Sequence, residues 1–141
     1  MRKKIKTYNK VAKALADLGI EGIMENRICT IKKNSIDYML YIDEETETFF
    51  VLQYVSGLRG TLTKQEFDTA LDVVKDFHKD YDGDWNDGTS YLSSPIYSLK
   101  GVQILPKEEL EKILEDFFKV WSFMCANTCA ITDDSIWGNM E

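Results

Sequence analysis

Apolar residues recur along this chain with two different periods, and each change of period marks a new element. From Lys4 to Leu18 the spacing is three and four. Ile5, Tyr8, Val11, Ala12, Leu15 and Leu18 then share one side of a helix, with Gly19 where a helix-ending glycine belongs. From Ile28 to Val55 the period becomes two. Ile28–Lys33 reads as a strand, Asn34-Ser35 as a turn, and Ile36–Ile42 as a second strand with Ile36, Tyr38, Leu40 and Ile42 on one face. The polar run Asp43-Glu44-Glu45-Thr46-Glu47 has hairpin length, and Phe49–Val55 follows as a strand apolar on both faces. Connections this short predict an antiparallel three-stranded meander.

Gly57 and Gly60 end the strand run, and Thr63-Lys64-Gln65-Glu66 is a capping box that opens a second helix. Its apolar face is Phe67, Ala70, Leu71, Val74, Phe77, His78 and Tyr81. Asp68, Asp72, Asp76 and Asp80 form an acidic stripe, read as a solvated face, with a basic partner as the alternative. Asp80 to Gly88 reads as an acidic turn. Thr89–Leu99 is strand-like again, with Pro95 marking an edge or bulge. A last helix starts at Pro106 and carries Leu110, Ile113, Leu114, Phe117, Trp121, Met124 and Cys125, widened by Phe118 and Val120. The expected fold is α+β in a single domain over 1–129: helix, three-stranded antiparallel meander, helix, one or two strands, helix. A short C-terminal tail spans 130–141 and carries Ile131, Ile136, Trp137 and Met140.

One sheet face packs under the helices. The other leaves Met39, Tyr41, Phe50, Leu52 and Tyr54 without an obvious cover, and these five are the candidate partner-binding residues. Burying a large side chain contributes roughly 1.5–3 kcal/mol, so this face is able to drive a dimer or hold a polypeptide segment.

Composition fits one globular domain: 141 residues, 44% hydrophobic and 12% aromatic, with eight glycines and two prolines. The net charge is −7, an adverse balance for binding nucleic acid, which depends on phosphate neutralisation. Six of the 17 basic residues (Arg2, Lys3, Lys4, Lys6, Lys10 and Lys13) precede the first acid. A basic end therefore precedes a strongly acidic body. The basic helix is read as a solvated lysine face on a core-docked helix, with an anionic surface or partner as the alternative. No apolar run reaches the length of a membrane span, and Lys6, Asn9, Lys10 and Lys13 interrupt any signal-like core after Met1-Arg2-Lys3-Lys4. The expected location is the cytoplasm.

Candidate chemistry is thin. Cys29, Cys125 and Cys129 have no CxxC spacing and no histidine partners, and they read as buried small hydrophobes. Asp82, Asp84 and Asn86 mimic the start of a calcium loop, but Asp87 stands at its glycine position and Ser93 at its twelfth, so no metal is expected. His78 is the single histidine. Ser93-Ser94 lacks a nucleophile elbow, and Gly57-Leu-Arg59-Gly60 is too short to cradle a phosphate. No catalytic set and no cofactor are expected.

The segment Tyr81-Asp-Gly-Asp84, through Tyr91-Leu-Ser-Ser-Pro-Ile-Tyr-Ser-Leu-Lys-Gly101, to Pro106-Lys-Glu-Glu-Leu110 and its amphipathic helix resembles the C-terminal half of YbjN-type bacterial proteins. The helix–meander–helix opening extends the resemblance over nearly the whole chain. The basic first helix and the Trp137 tail depart from it. The resemblance implies a type III secretion chaperone-like fold in a small, acidic, cytosolic and typically dimeric protein. The expected function is then a non-catalytic interaction protein, chaperone-like or regulatory. It forms a homodimer and holds a polypeptide client on apolar sheet or helix surface. The alternative is a small-ligand-binding or enzymatic domain with a pocket between helices and sheet.

Overall fold

The structure, a computed structural model, describes residues 6–33, 36–55, 62–86 and 89–140, with side chains as far as residue 128. The expected turn Asn34-Ser35, Gly57, Gly60, Asp87-Gly88 and the side chains of Cys129, Ile131, Ile136, Trp137 and Met140 lie outside it. Along the chain run α1 (Thr7–Asp17), β1 (Gly22–Glu25), β2 (Ile28–Lys33), β3 (Ile36–Asp43), β4 (Thr48–Tyr54), α2 (Lys64–Phe77), β5 (Asp82–Asp84), β6 (Tyr91–Ser93), β7 (Tyr97–Ser98) and α3 (Lys107–Met140). This is an α+β chain of helices and antiparallel strands. It gathers into two units, residues 1–52 with 95–116 and residues 53–94 with 117–141.

In the first unit, β1, β2, β3 and β4 form an antiparallel meander, and β7 pairs with the start of β4 through Thr48↔Ser98 and Phe49↔Tyr97. The meander has one strand more than its sequence period shows. β1 has only four residues, all exposed, so burial imposes no alternation on it. It turns into β2 through Asn26-Arg27, with Asn26 at φ 59°, a left-handed conformation that asparagine tolerates.

One face of this sheet is the core. Cross-strand partners share a face, so Cys29, Leu40 and Val51 form one buried row, Ile31 with Tyr38 a second and Ile42 with Phe49 a third. α1 packs against β3. Its buried residues are Thr7, Lys10, Val11, Ala14 and Leu15, a stripe rotated from the expected one: Ala12 is exposed, while Tyr8 and Leu18 are half-buried. The rotation follows from Lys10, which lays its stem in the core and donates from Nζ to the Leu99 carbonyl at 3.2 Å. The helix stops in a Schellman motif. Ile20 N–H donates to the Leu15 carbonyl and Gly19 N–H to that of Ala16, with Gly19 at φ 73°.

The second unit is built on α2, β5, β6 and the later part of α3. α2 opens with the capping box its sequence announces: Glu66 N–H donates to Thr63 Oγ1 and Thr63 N–H to Glu66 Oε1, both at 3.1 Å. The buried apolar residues of this unit include Val55, Phe67, Ala70, Val74, Tyr81, Leu92, Phe117, Val120 and Met124. The expected apolar face ends sooner than its period suggests. α2 stops at Phe77, which is 71% exposed, and His78 is exposed beside Tyr81, with ring centroids 5.7 Å apart.

The segment read as an acidic turn contains a strand. β5 pairs with β6 through Asp82↔Ser93, Gly83↔Leu92 and Asp84↔Tyr91. Three residues rich in aspartate carry no strand signal of their own. Gly83 is needed there because a Cβ would meet the Tyr91 carbonyl oxygen at 2.6 Å and the Phe67 ring at 3.1 Å. β6 and β7 are separate strands with Pro95 between them, as its missing N–H requires.

Candidate functional site

The face of the first unit's sheet opposite α1 is where the expected binding residues fall. Cross-strand register arranges it in rows. One row runs Glu25, Ile28, Tyr41, Phe50 and the next Ile23, Thr30, Met39, Leu52. Side chains facing each other across antiparallel strands sit about 4.5–5.5 Å apart at Cβ, close enough for large rings to touch. Tyr41 and Phe50 do so, stacked with centroids 5.2 Å apart and planes 13° from parallel. Both are half-buried, as is Met39. This face is therefore apolar, partly exposed and rigidly held, because the opposite face of the same strands is core.

The structure brings three of the five candidate residues together and separates two. Met39, Tyr41 and Phe50 form the open patch. Leu52 lies in register with Met39 but is only 5% exposed, so it offers no contact surface. Tyr54 belongs to the second unit, where it is 50% exposed and its carbonyl accepts from Trp121 Nε1 at 2.9 Å. Alternation alone assigns side chains to a face and says nothing about what else covers that face.

A cleft of about 420 Å³ opens beside the Tyr41–Phe50 stack, lined also by Arg27, Asp43, Thr48 and Ile96. Sequence reading missed these four. Ile96 is 70% exposed and forms an apolar rim after Pro95. Thr48 Oγ1 lies 2.7 Å from Thr46 Oγ1. Asp43 Oδ1 is occupied as a turn cap, accepting from Glu45 N–H at 2.9 Å and Thr46 N–H at 3.4 Å. Arg27 is exposed, and its guanidinium holds no ion pair with any described residue. Its backbone is pinned, since its carbonyl accepts from Ile42 N–H at 2.8 Å. Arg27 was legible only as the second residue of a hairpin turn that the sequence did not reveal.

Other candidate groups sit away from this cleft. Cys29 is buried on the core face, and burial pushes its thiol up, which keeps it protonated and unreactive. A second cleft, of about 440 Å³, adjoins it between α1 and β1, lined by Leu15, Ala16, Gly19 and Met24 among others. Asp82 and Asp84 are spent on the β5 strand, and Asp82 Oδ1 lies 3.7 Å from Lys75 Nζ. Among the described residues no three His, Cys, Asp or Glu side chains gather to hold a metal ion, and no helix is long and apolar enough to cross a membrane.

No family model and no curated protein matches the chain. Solved structures share its fold, among them the following three. A chain of the ExsC–ExsE complex matches with a TM-score of 0.66 at 15% identity, over 89% of this chain and 98% of that one. A chain of the HopA1–SchA chaperone–effector complex matches with a TM-score of 0.62 at 10% identity, over 85% and 94%. YbjN from E. coli, a candidate transcription regulator, matches with a TM-score of 0.58 at 11% identity, over 84% and 89%. The α+β order of helix, meander, helix, short strands and long helix in this chain is thus the YbjN-like, secretion-chaperone-like fold that its residues resemble.

Proposed function

We propose that this chain is a non-catalytic polypeptide-binding protein, chaperone-like or regulatory, that acts as a cytoplasmic homodimer and holds a client segment on the open face of its meander. The observation that carries this reading is the half-buried row of Ile28, Tyr41 and Phe50, with its stacked rings, on a sheet whose other face is core. The fold supports it, since one structure that shares it is a chaperone bound to its effector. Non-covalent burial of apolar client residues needs area and rigidity. Half-buried aromatics on a backed sheet supply both, at about 25 cal/mol per Å² covered.

The test compares Tyr41→Ser with Phe50→Ser, made together, against Leu40→Ser. The open-face pair should leave a folded chain that loses a stoichiometric polypeptide partner captured from native lysate. Leu40→Ser, which places a hydroxyl in the core, should unfold the first unit. An open-face pair that unfolds the chain would make these residues core and end the reading. A second reading, a small-ligand site, draws on the cleft volume of about 420 Å³, which is within the range of such sites. Native mass spectrometry of the purified chain decides for it if a metabolite is retained in place of a polypeptide.

A further inference from the structure

The cleft beside the Tyr41–Phe50 stack combines a partly open aromatic wall with an arginine that holds no ion pair among the described residues. Lys13, Lys64 and Lys75 each lie within 4 Å of a carboxylate, and Lys10 is spent on the Leu99 carbonyl. Arg27 lines the cleft with no such partner among the described residues. The other charged liner, Asp43, accepts through Oδ1 from two backbone N–H groups of its own turn, which hold that oxygen in place.

Resting on the polypeptide-binding reading above, we infer that the client segment is anchored by a large apolar side chain next to a carboxylate. The side chain seats against Tyr41, Phe50 and Ile96, and the carboxylate pairs with Arg27. Charge complementarity argues for this occupant. The body of the chain is strongly acidic, so an acidic residue is repelled over most of the surface and is welcome where an unpaired guanidinium stands. A guanidinium also binds a carboxylate in a two-pronged geometry that a lysine does not offer. The apolar patch continues past the cleft through Ile28 and Met39, which suits an extended segment better than a molecule confined to the cleft. Arg27 thereby sets specificity, and the aromatic wall supplies most of the affinity.

The probes are two fluorescein-labelled peptides, rich in Val and Thr, with a central Phe flanked by Asp in one and by Lys in the other. Fluorescence anisotropy against the full chain should show the Asp peptide binding about tenfold tighter, equivalent to ~1.4 kcal/mol. Arg27→Gln should erase the preference, and Arg27→Glu should reverse it. The exposed position of Arg27 keeps both variants folded. Equal binding of the two peptides, lost on Phe50→Ser, overturns the role of Arg27 and leaves the polypeptide-binding reading standing. Failure of both peptides to bind, when a partner captured from lysate is also indifferent to the Tyr41/Phe50 pair, overturns both.

Discussion

Lys6 precedes α1 with a side chain that accepts no hydrogen bond, so the first N–H groups of the helix are met from far along the chain. Glu44, in the β3–β4 loop, accepts from Thr7 N–H at 2.7 Å and Tyr8 N–H at 2.9 Å through its two carboxylate oxygens. Its negative charge also faces the positive end of the helix dipole. Glu44→Ala should therefore cost about 1–2 kcal/mol in urea unfolding, and Glu44→Gln, which keeps an acceptor, less. Equal losses for both variants would mean that the acceptor kept by glutamine contributes nothing and that the charge carries the whole effect. Tyr38 supplies a pH effect. Burial pushes its hydroxyl up from 10.0 to about 12. The unfolded chain releases that proton first, so Tyr38's contribution is whole below pH 10 and is lost as pH rises from 10 to about 12. The loss amounts to about 2–3 kcal/mol. Wild type should lose stability relative to Tyr38→Phe across that window, and parallel curves would contradict the assignment.

At the scale of elements, capping and close packing decide where segments start and which are strands at all. The capping box of α2 is read from Thr63 and Glu66 because the bonds are local, three residues apart. β5 is different. Asp82-Gly83-Asp84 is a strand only because β6 pairs with it and because Gly83 lets the Phe67 ring and the Tyr91 backbone come close. Gly83→Ala should destabilise the second unit by about 1–3 kcal/mol, since the nearest obstacle is a carbonyl oxygen that cannot rotate away. Hydrogen exchange should show the loss at the β5–β6 pairs first. A variant as stable as wild type would mean that the hairpin shifts at no cost.

For the molecule as a whole, the proposed homodimer is open to direct measurement. Light scattering at micromolar concentration should give twice the mass of the 141-residue chain, and a monomer-only result would exclude it. Phe77, exposed and in edge contact with Phe123 at 5.8 Å between centroids, is an apolar site on the second unit that a second copy is free to cover. Metal independence is a separate expectation. Neither millimolar calcium nor a chelator should move the thermal midpoint, and a rise of several degrees with calcium would show that the aspartates of 80–87 bind it after all.

What the sequence by itself determined is whatever repeats with a period or closes over a few residues. The first two helices and the third as far as residue 129, the strands from Ile28 to Tyr54, the Gly19 stop and the Thr63 cap are of this kind, and so is the core identity of Tyr38, Leu40 and Ile42, whereas residues 130–140, expected as a tail, continue α3. Their cause is local: one face must be apolar, and one turn must be closed. Tertiary structure decided everything that depends on partners distant in the chain. It turned α1 so that Lys10 went under and Ala12 came out, and it made strands of Gly22–Glu25 and Asp82–Asp84. It buried Leu52 while leaving Tyr41 and Phe50 on the same face accessible, and it set Arg27 and Ile96, 69 positions apart, on one cleft. Alternation specifies which way a side chain points. Only the packed chain specifies what meets it there.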